Sequence, residues 1–313
     1  MQMTQSVEAF LLSLNGVASK ATLVWYRRRL NCLVAFLGDV DVQAVTIQDL
    51  RRWRVGLCER TTRYADHPSG RSALQGGLSK HTLHGYVRAA KRLFAWLEEE
   101  NLIAQNTARR LELPKLPKGK PKGIEHTDLA AMLETAAKMG ERELALCWFF
   151  YSTGARAAGV VGLKLSDLHL ESGRAHVTEK GNKTRVVQLI PKAVEALRAY
   201  LQVRPDSEDD HVFLGIRGPL KYSGLYQILE RIAQAAGVKS GWNPHNWRHR
   251  RIRDWQAAGV SLGLVSQAAG HSQESVTADI YGRLPDDELM NVLDQVPLPF
   301  SPEDMVAFSI APS

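Results

Sequence analysis

Four stretches of the sequence carry side chains that together could break a phosphodiester bond without a metal ion. In chain order they are Thr153–Leu168, Glu179–Arg185, Pro244–His249 and Ala269–Tyr281, and they contain Arg156, Lys180, His245, Arg248, His271 and Tyr281. Such a cleavage needs a nucleophile placed in line, cations that hold the negative oxygens, and an acid that protonates the departing sugar oxygen. Arginine suits the second task because its planar fork donates two hydrogen bonds and stays charged at any physiological pH.

Each of these residues has an ordinary explanation when it is taken alone. An arginine after Thr153 and Gly154 is typical of a helix end or a surface, and Lys180 has the setting of a polar turn residue. A histidine three residues before an arginine is commonly a solvated pair, and a lone tyrosine is commonly half buried in a core. The order and the separations of the whole set favour the chemical interpretation.

The set resembles the motifs of the tyrosine recombinase (phage integrase) family, and the resemblance covers nearly the whole chain. It implies that Arg156 and Arg248 grip the scissile phosphate. Lys180 is then expected to be the general acid that protonates the leaving 5′ oxygen. His245 is expected to accept a proton or bind the phosphate, and His271 to be a further phosphate ligand.

The same resemblance implies that Tyr281 is the nucleophile, which forms a 3′-phosphotyrosyl link and frees a 5′ hydroxyl. The ester keeps the energy of the broken bond, so attack by a 5′ hydroxyl of another strand reseals the DNA without ATP. No cofactor is therefore expected, neither a metal ion nor a nucleotide. The three cysteines are scattered, without the paired spacing of a metal site or a disulfide framework.

Two departures from the family pattern lie close to these residues. Family members usually have an acidic residue three positions after the first arginine, where this chain has Gly159. Either the loss of that carboxylate slows the chemistry or another part of the chain supplies it. The gap from His271 to Tyr281 is ten residues, one more than usual, and a loop near 273–275 must absorb the extra residue if the tyrosine is to keep its direction.

Three arginines, at positions 250, 251 and 253, follow Arg248 where the family often has small or apolar residues. Arg250 and Arg253 share a helical face by their spacing. We expect that face to contact the DNA backbone, although a salt-bridged surface explains the spacing nearly as well.

The positive charge of the chain is concentrated in its first part. Residues 1–118 hold 18 Lys and Arg against 10 Asp and Glu, whereas residues 119–313 hold 22 against 23. This asymmetry is typical of a domain that holds a polyanion such as nucleic acid, and solubility is the plain alternative.

The first part of the chain is predicted to be helical. Apolar residues recur at helical spacing after Ser19 and again after Ser79, and a third helix is expected near Thr46–Glu59. Between them Glu59–Leu78 is rich in Thr, Ser, Gly and Arg, which indicates a mobile basic loop.

The helix after Ser79 combines an apolar face with a basic opposite side that includes Arg88, Lys91 and Arg92. We expect these three residues to contact DNA phosphates. A solvated surface helix explains the same pattern.

Residues 113–123 are rich in Pro, Gly and Lys and predict an extended linker. The resemblance assigns 1–112 to a helical, SAM-like core-binding domain that contacts DNA, 124–298 to the catalytic domain, and 299–313 to a C-terminal tail. In the catalytic domain, helices are expected near 125–138 and 142–152 and from 192 onwards. Three short antiparallel strands are expected at Leu165–Leu170, Arg174–Glu179 and Thr184–Ile190.

The expected fold is therefore mainly α, with a small three-stranded antiparallel sheet in the catalytic domain. The resemblance implies that the two domains close on double-stranded DNA, that protomers bind inverted half-sites, and that a homotetramer on synapsed DNA exchanges strands through a Holliday junction. Leu289–Leu293 or the Phe300–Phe308 tail would pass to a neighbouring protomer, unless these segments fold back on their own domain. No apolar run is long enough to span a bilayer and no signal peptide is recognised, so a cytoplasmic protein without a membrane partner is expected.

Two other functions remain open at this stage. A type IB topoisomerase shares the nucleophile and the arginines, but it relaxes DNA alone and without a specific site. A non-catalytic, integrase-like DNA-binding protein is consistent with Gly159 and with the longer gap before Tyr281. A helical protein-interaction module leaves the ordered set of residues unexplained.

Overall fold

The computed structural model describes residues 1–63, 74–117, 123–179, 183–270 and 285–308. Within these ranges the chain is mainly helical with small antiparallel sheets, which confirms the predicted fold class. The chain divides into two compact units, Met1–Gly119 and Lys120–Ser313. No described helix combines the length and the apolar character that a bilayer span requires.

The described part of the first unit contains four α-helices: α1 (Met3–Ser13), α2 (Lys20–Leu37), α3 (Ile47–Glu59) and α4 (Lys80–Glu99). The last three begin where the sequence predicts, because Ser19, Thr46 and Ser79 each accept a backbone N–H of the first turn. Helix α1 was not predicted. Its N-cap, Gln2, makes no side-chain capping bond, so the sequence holds no start signal there.

Helix α4 is the central helix of the first unit and packs against α1, α2 and α3. Its buried positions recur at helical spacing: Leu83, Val87, Ala90, Leu93, Phe94 and Leu97. The aromatic ring of Phe10 from α1 lies 5.6 Å from that of Trp96 at the end of α4. The apolar face predicted for this helix is therefore the core of the unit.

The described residues of the predicted loop Glu59–Leu78 include two short paired strands, so the expectation of a loop throughout is wrong. Strand β1 (Thr62–Arg63) pairs antiparallel with β2 (Leu74–Gln75). The Gly76 amide closes the pairing by donating to the Thr61 carbonyl at 2.7 Å. Two-residue strands are too short to leave a period in the sequence.

The second unit contains nine α-helices in its described residues. They are α5 (His126–Met139), α6 (Glu141–Thr153), α7 (Ala157–Val161), α8 (Pro191–Val203), α9 (Tyr222–Ala235), α10 (Pro244–Ala257), α11 (Leu262–Ala269), α12 (Asp286–Asp294) and α13 (Pro302–Ala307). Helix α6 is buried along its length from Glu143 onwards and packs against α5, α8 and α10. It forms the centre of the core to which the site-bearing elements attach.

A three-stranded antiparallel sheet confirms the predicted sheet of the second unit. Its order is β3 (Leu168–His169), β4 (Arg174–Glu179) and β5 (Lys183–Gln188). Strand β3 is shorter than predicted because residues 165–167 form a 3₁₀ turn, held by a 3.0 Å hydrogen bond from the Lys164 amide to Asp167. A further pair, β6 (Leu214–Gly215) with β7 (Gly218–Pro219), was not predicted.

Both C-terminal segments that were candidates for exchange pack against their own unit in this single chain. Leu289, Met290 and Leu293 of α12 are buried in a cluster with Trp255. Phe300 and Phe308, on either side of α13, place their rings 6.0 Å and 6.1 Å from the ring of Trp148. The part of the predicted tail that is described is therefore helical and folded back.

Candidate active site

Three arginines from separate elements meet at the C-terminal end of α11. Each donates to one of the last carbonyls there: Arg185 to Ala268 at 2.5 Å, Arg248 to Ala269, and Arg156 to Gly270 at 3.2 Å. Carbonyls at the C-terminal end of a helix carry partial negative charge, so cations are favourable beside them. The structure thus brings together Arg156 and Arg248, the pair expected from the sequence, and adds Arg185.

Arg156 is the N-cap residue of α7 and is held at two points by Glu179. Its backbone amide donates to Glu179 Oε1 at 2.8 Å, and its Nη1 donates to Glu179 Oε2. The Arg156 side chain is still 34% exposed. The guanidinium is therefore fixed in direction and remains reachable from solvent.

Glu179 ends strand β4, and its side chain is only 5% exposed. Arg185 Nη2 lies 3.5 Å from Glu179 Oε1. Burial of the carboxyl opposes its ionisation, but Arg185, the Arg156 amide and guanidinium, and Arg248 hold the pKa of Glu179 below its usual value. The carboxylate is therefore charged and shared among the arginines.

Arg248 projects from the first turns of α10 into the protein and is 2% exposed. Its Nη1 donates to the Gly154 carbonyl at 2.9 Å. Burial, followed by repulsion from Arg156 and Arg185, lowers the pKa of Arg248, and the attraction of Glu179 partly offsets this. Within the described part of the chain, three guanidinium groups against one carboxylate leave this cluster an excess of two positive charges, which a bound anion would relieve.

His245 lies at the exposed start of α10, where the Asn243 side chain accepts the His245 amide at 3.1 Å. Its ring lies 4.4 Å from that of His249. Burial, followed by repulsion from Arg248 and Arg156, lowers the pKa of His245. A neutral imidazole is favoured near pH 7, and this form can accept a proton.

Lys180, His271 and Tyr281 lie outside the described residues, and their predicted roles stay predictions. Their chain neighbours are described: Glu179 precedes Lys180, and Gly270 precedes His271. Both neighbours bind Arg156 directly. The segments that carry the remaining predicted groups therefore start from the arginine cluster.

Sequence reasoning missed two members of the cluster, Glu179 and Arg185. Val177 pairs with Arg185 across the hairpin, and Glu179 follows Val177 by two residues. Alternation along a strand puts all three side chains on one face of the sheet. Since Val177 is fully buried, Glu179 and Arg185 also face inward. An alternation count from an apolar Val177 was the signal that could have found them.

The structure corrects the expected DNA contact at Arg250. This side chain is buried, and its Nη2 lies 2.6 Å from Asp254 Oδ1 in an ion pair within α10. Asp254 also accepts from Tyr151 Oη at 2.9 Å, and His126 Nε2 lies 3.0 Å from it. Arg253, which shares the predicted face, is half buried, and its contact with DNA stays a prediction.

Arg251, the next residue of α10, is fully buried. Its Nε donates to the Ser152 carbonyl at 3.2 Å, and its Nη2 donates to Gln188 Oε1 at 3.3 Å. Two successive arginines of this helix therefore hold the domain core together instead of reaching solvent.

The basic side of α4 is also only partly available to DNA. Lys91 Nζ donates to three carbonyls, those of Ala108, Arg109 and Leu111, at 2.8–2.9 Å. An ammonium group has three donors, so the expected phosphate contact at Lys91 is corrected to a structural role. Arg92 pairs with Glu99 at the surface, and Arg88 is exposed with its guanidinium 4.9 Å from the ring centre of Trp25.

In the described ranges, possible metal-ligand atoms gather in one group of three, Asp209, Asp210 and His211. The group lies in a loop before β6, away from the arginine cluster in sequence. His211 Nδ1 lies 2.5 Å from Asp209 Oδ1. A hydrogen bond between these two side chains accounts for the arrangement.

Comparison with known proteins identifies the relatives of this chain. Residues 122–288 match the sequence profile described as the phage integrase family. The tyrosine recombinase XerC of Xanthomonas campestris pv. campestris is 31% identical over 297 residues, which are 92% of this chain and 87% of the relative. The tyrosine recombinase XerD of Listeria monocytogenes is 30% identical over 215 residues, which are 66% of this chain and 72% of the relative.

Two solved structures share the fold at low sequence identity. A lambda integrase fragment, crystallised as a dimer bound to a core site, has a TM-score of 0.67 at 15% identity and covers 91% of this chain and 99% of its own. The Tn1549 transposon integrase in complex with circular intermediate DNA has a TM-score of 0.67 at 17% identity, with coverages of 92% and 97%.

Proposed function

This chain belongs to the phage integrase family of tyrosine recombinases, and we propose that it cuts and rejoins DNA at a specific site through a covalent 3′-phosphotyrosyl intermediate. It is a tyrosine site-specific recombinase by its family. The proposal concerns the route of the reaction and the assembly that performs it.

The observation that carries the proposal is the cluster of Arg156, Arg185 and Arg248 at the end of α11. Its excess positive charge is held in place by carbonyls and by Glu179 before any DNA arrives. Donors that are fixed in advance stabilise charge that develops on a phosphate without reorganising during the reaction. Arg156 is partly exposed, so a DNA phosphate can reach the cluster at this side chain.

The chemistry follows from the predicted roles. The hydroxyl oxygen of Tyr281 attacks the phosphorus, a new P–O bond forms, and the bond to the 5′ oxygen breaks. Lys180 donates a proton to that 5′ oxygen, and His245, which favours its neutral form, takes up the tyrosyl proton. Arg156, Arg248 and His271 hold the non-bridging oxygens, and attack by a 5′ hydroxyl reverses the sequence.

The assembly is proposed by analogy with the relatives. The lambda integrase fragment was solved as a dimer on a DNA core site. We infer that protomers of this chain bind inverted half-sites on double-stranded DNA, that the 1–112 domain and the 124–298 domain both contact the duplex, and that two dimers synapse as a homotetramer. Strand exchange would then proceed pairwise through a Holliday junction.

Covalent capture tests the proposal. The probe is a pool of nicked duplexes with randomised sequence, on which cleavage next to the nick releases a short strand and prevents religation. Wild-type protein should give an SDS-resistant protein–DNA adduct whose recovered DNA shares one sequence. Tyr281→Phe should give no adduct while its DNA affinity is retained, because only the nucleophilic oxygen is lost.

A matched control is Tyr222→Phe, which removes the hydroxyl of an exposed tyrosine in α9 that pairs with Tyr226. This variant should form the adduct as the wild type does. Binding without any adduct would favour a non-catalytic protein. An adduct that survives Tyr281→Phe would assign the nucleophile to another residue, and relaxation of supercoiled DNA by the monomer without a specific sequence would favour a topoisomerase.

A further inference from the structure

Among the residues that the structure describes, the arginine cluster holds one carboxylate, that of Glu179. One of its oxygens accepts the Arg156 amide at 2.8 Å and lies 3.5 Å from Arg185 Nη2, while the other accepts Arg156 Nη1. The carboxylate therefore binds both the backbone and the side chain of Arg156. Contacts at two points of one residue restrict the direction of its guanidinium far more than a single ion pair does.

A buried carboxylate at this position carries a cost of desolvation, which its positive neighbours must offset. Glu179 has two guanidinium groups and an amide in contact, together with the Coulombic attraction of Arg248, and it is held in its charged form. Glu179 is also the last residue of strand β4, where it pairs with Lys183 of β5. The carboxylate thus connects the end of β4 to the start of α7.

Gly159 is what makes room for this side chain. Residues 156 and 159 lie three apart in and next to α7 and so face the same side. A Cβ at position 159 would lie 3.3 Å from Glu179 Cγ, which is tighter than most contacts of this kind, and 3.4 Å from Val177 Cβ. The backbone of Gly159 is not in the left-handed region, so the tight fit at this position comes from the neighbouring Glu179 side chain and not from the conformation of the glycine.

We propose that Glu179 is the positioning residue for the phosphate-binding Arg156, and that Gly159, which has no side chain, leaves the space that the Glu179 side chain occupies. The orienting carboxylate then reaches the cluster from strand β4 and not from helix α7. Position 159 can hold a carboxylate in its place, because a Cβ there would lie 3.7 Å from the present Glu179 Oε1, a distance that a glutamate side chain can span. The inference rests on the proposed function, in which Arg156 binds the scissile phosphate.

The first test removes the charge and keeps the shape. Glu179→Gln should lower the single-turnover rate of adduct formation at least tenfold, since small misplacement of a phosphate ligand costs on the order of 10²-fold. DNA affinity should be unchanged or higher, because the cluster gains one net positive charge. If Glu179 had a merely structural role, the substitution would instead lower the rate of adduct formation, the DNA affinity and the midpoint of thermal unfolding together.

The matched control is Glu171→Gln, which removes the charge of a glutamate in the turn between β3 and β4. Its side chain is 94% exposed and pairs with Arg198. Adduct formation should stay within twofold of the wild type. A rate for Glu179→Gln within threefold of the wild type would overturn the proposal.

The second test moves the carboxylate. Glu179→Gly should lose activity because Arg156 is no longer held, and Gly159→Glu should lose activity because two carboxylates then crowd and repel each other. The double variant Gly159→Glu/Glu179→Gly should recover at least tenfold over Glu179→Gly. If the double variant, with a wild-type unfolding midpoint, is no faster than Glu179→Gly, position 159 does not supply the same function and the proposal is wrong.

The two proposals fail in different ways in these assays. Absence of an adduct with the wild-type protein would refute the proposed recombinase reaction. A wild-type adduct that all Glu179 variants form at the normal rate would refute the positioning role and leave the reaction intact.

Discussion

Replacing Asp254 by asparagine should destabilise the second unit by about 3 kcal/mol, because it strands a buried arginine. The Asp254 side chain is 5% exposed and pairs with Arg250, which is 11% exposed. The same carboxylate accepts from Tyr151 and contacts His126. These partners join α5 and α6 to α10, the helix that carries Arg248.

The magnitude follows from what each partner loses. Breaking a buried ion pair on one side costs about 3–5 kcal/mol, since the remaining charge is left without compensation. Among the described residues, Arg250 Nε is buried without a hydrogen-bond partner, so few alternative acceptors there could replace Asp254 for the guanidinium. His126 is 44% exposed and can turn to water, which favours the lower end of the range. Stability of the whole domain is expected to be only about 5–15 kcal/mol, so the change is large.

Urea denaturation combined with hydrogen exchange measures this change in the intact chain. Amides of α6 and α10 report the second unit, and an unchanged dependence on urea would show that the exposed surface is the same. The control is Glu134→Gln in α5, which breaks a surface pair with Lys138 and should cost under about 0.5 kcal/mol.

A double variant separates the stranded charge from other effects. Asp254→Asn/Arg250→Met should be more stable than Asp254→Asn, because it removes the uncompensated guanidinium. A loss below about 1 kcal/mol for Asp254→Asn, or no recovery in the double variant, would refute the account of a buried ion pair.

The remaining predictions concern one proposed phosphate ligand, Arg248, and three structural residues, Lys91, Thr46 and Asp49. Arg248→Lys should slow adduct formation by about 10²–10³-fold, because one ammonium cannot reproduce the planar fork that binds two carbonyls; a change below threefold would contradict the role. Lys91→Met should destabilise the first unit by about 1–3 kcal/mol in urea denaturation and leave the salt dependence of DNA binding unaltered. If the variant binds DNA with a weaker salt dependence than the wild type, Lys91 contacts a phosphate after all. Thr46→Ala should cost about 1 kcal/mol by removing the cap of α3. Hydrogen bonds from Thr46, followed by the hydrogen bond and charge of Arg52, lower the pKa of Asp49 from 3.8 to about 2. The stabilisation by Asp49 is therefore present above pH 3.8 and is lost as the pH falls toward 2, which acid titration of the wild type against Asp49→Asn checks.

Local signals made most of the helical framework predictable. Ser19, Thr46 and Ser79 accept first-turn amides, and each stands directly before an apolar pattern of helical period. Such signals act over four residues and need no tertiary structure. Where the local signal was missing, as at α1, or shorter than a period, as in β1 and β2, the prediction failed.

Helical spacing predicted which residues share a face but not what that face contacts. Arg250 and Arg253 share a face by spacing, and the sequence favoured DNA as their partner. The partner of Arg250 is Asp254, because α10 packs against α6 and α11 and has little free surface there. Lys91 likewise meets carbonyls 17 to 20 residues further along the chain.

The sequence alone determined the chemical groups and their order, together with the roles expected of them: two arginines and two histidines around a phosphate, a lysine and a tyrosine for its cleavage, and a glycine where a carboxylate was expected. Only the tertiary structure decided that a glutamate on strand β4 occupies the space beside Gly159, and that Arg185 joins Arg156 and Arg248 at one helix end. The reason is physical: a side chain's type and its local direction depend on the residue and its neighbours in sequence, whereas its charge partners come from segments that only folding brings within hydrogen-bonding distance.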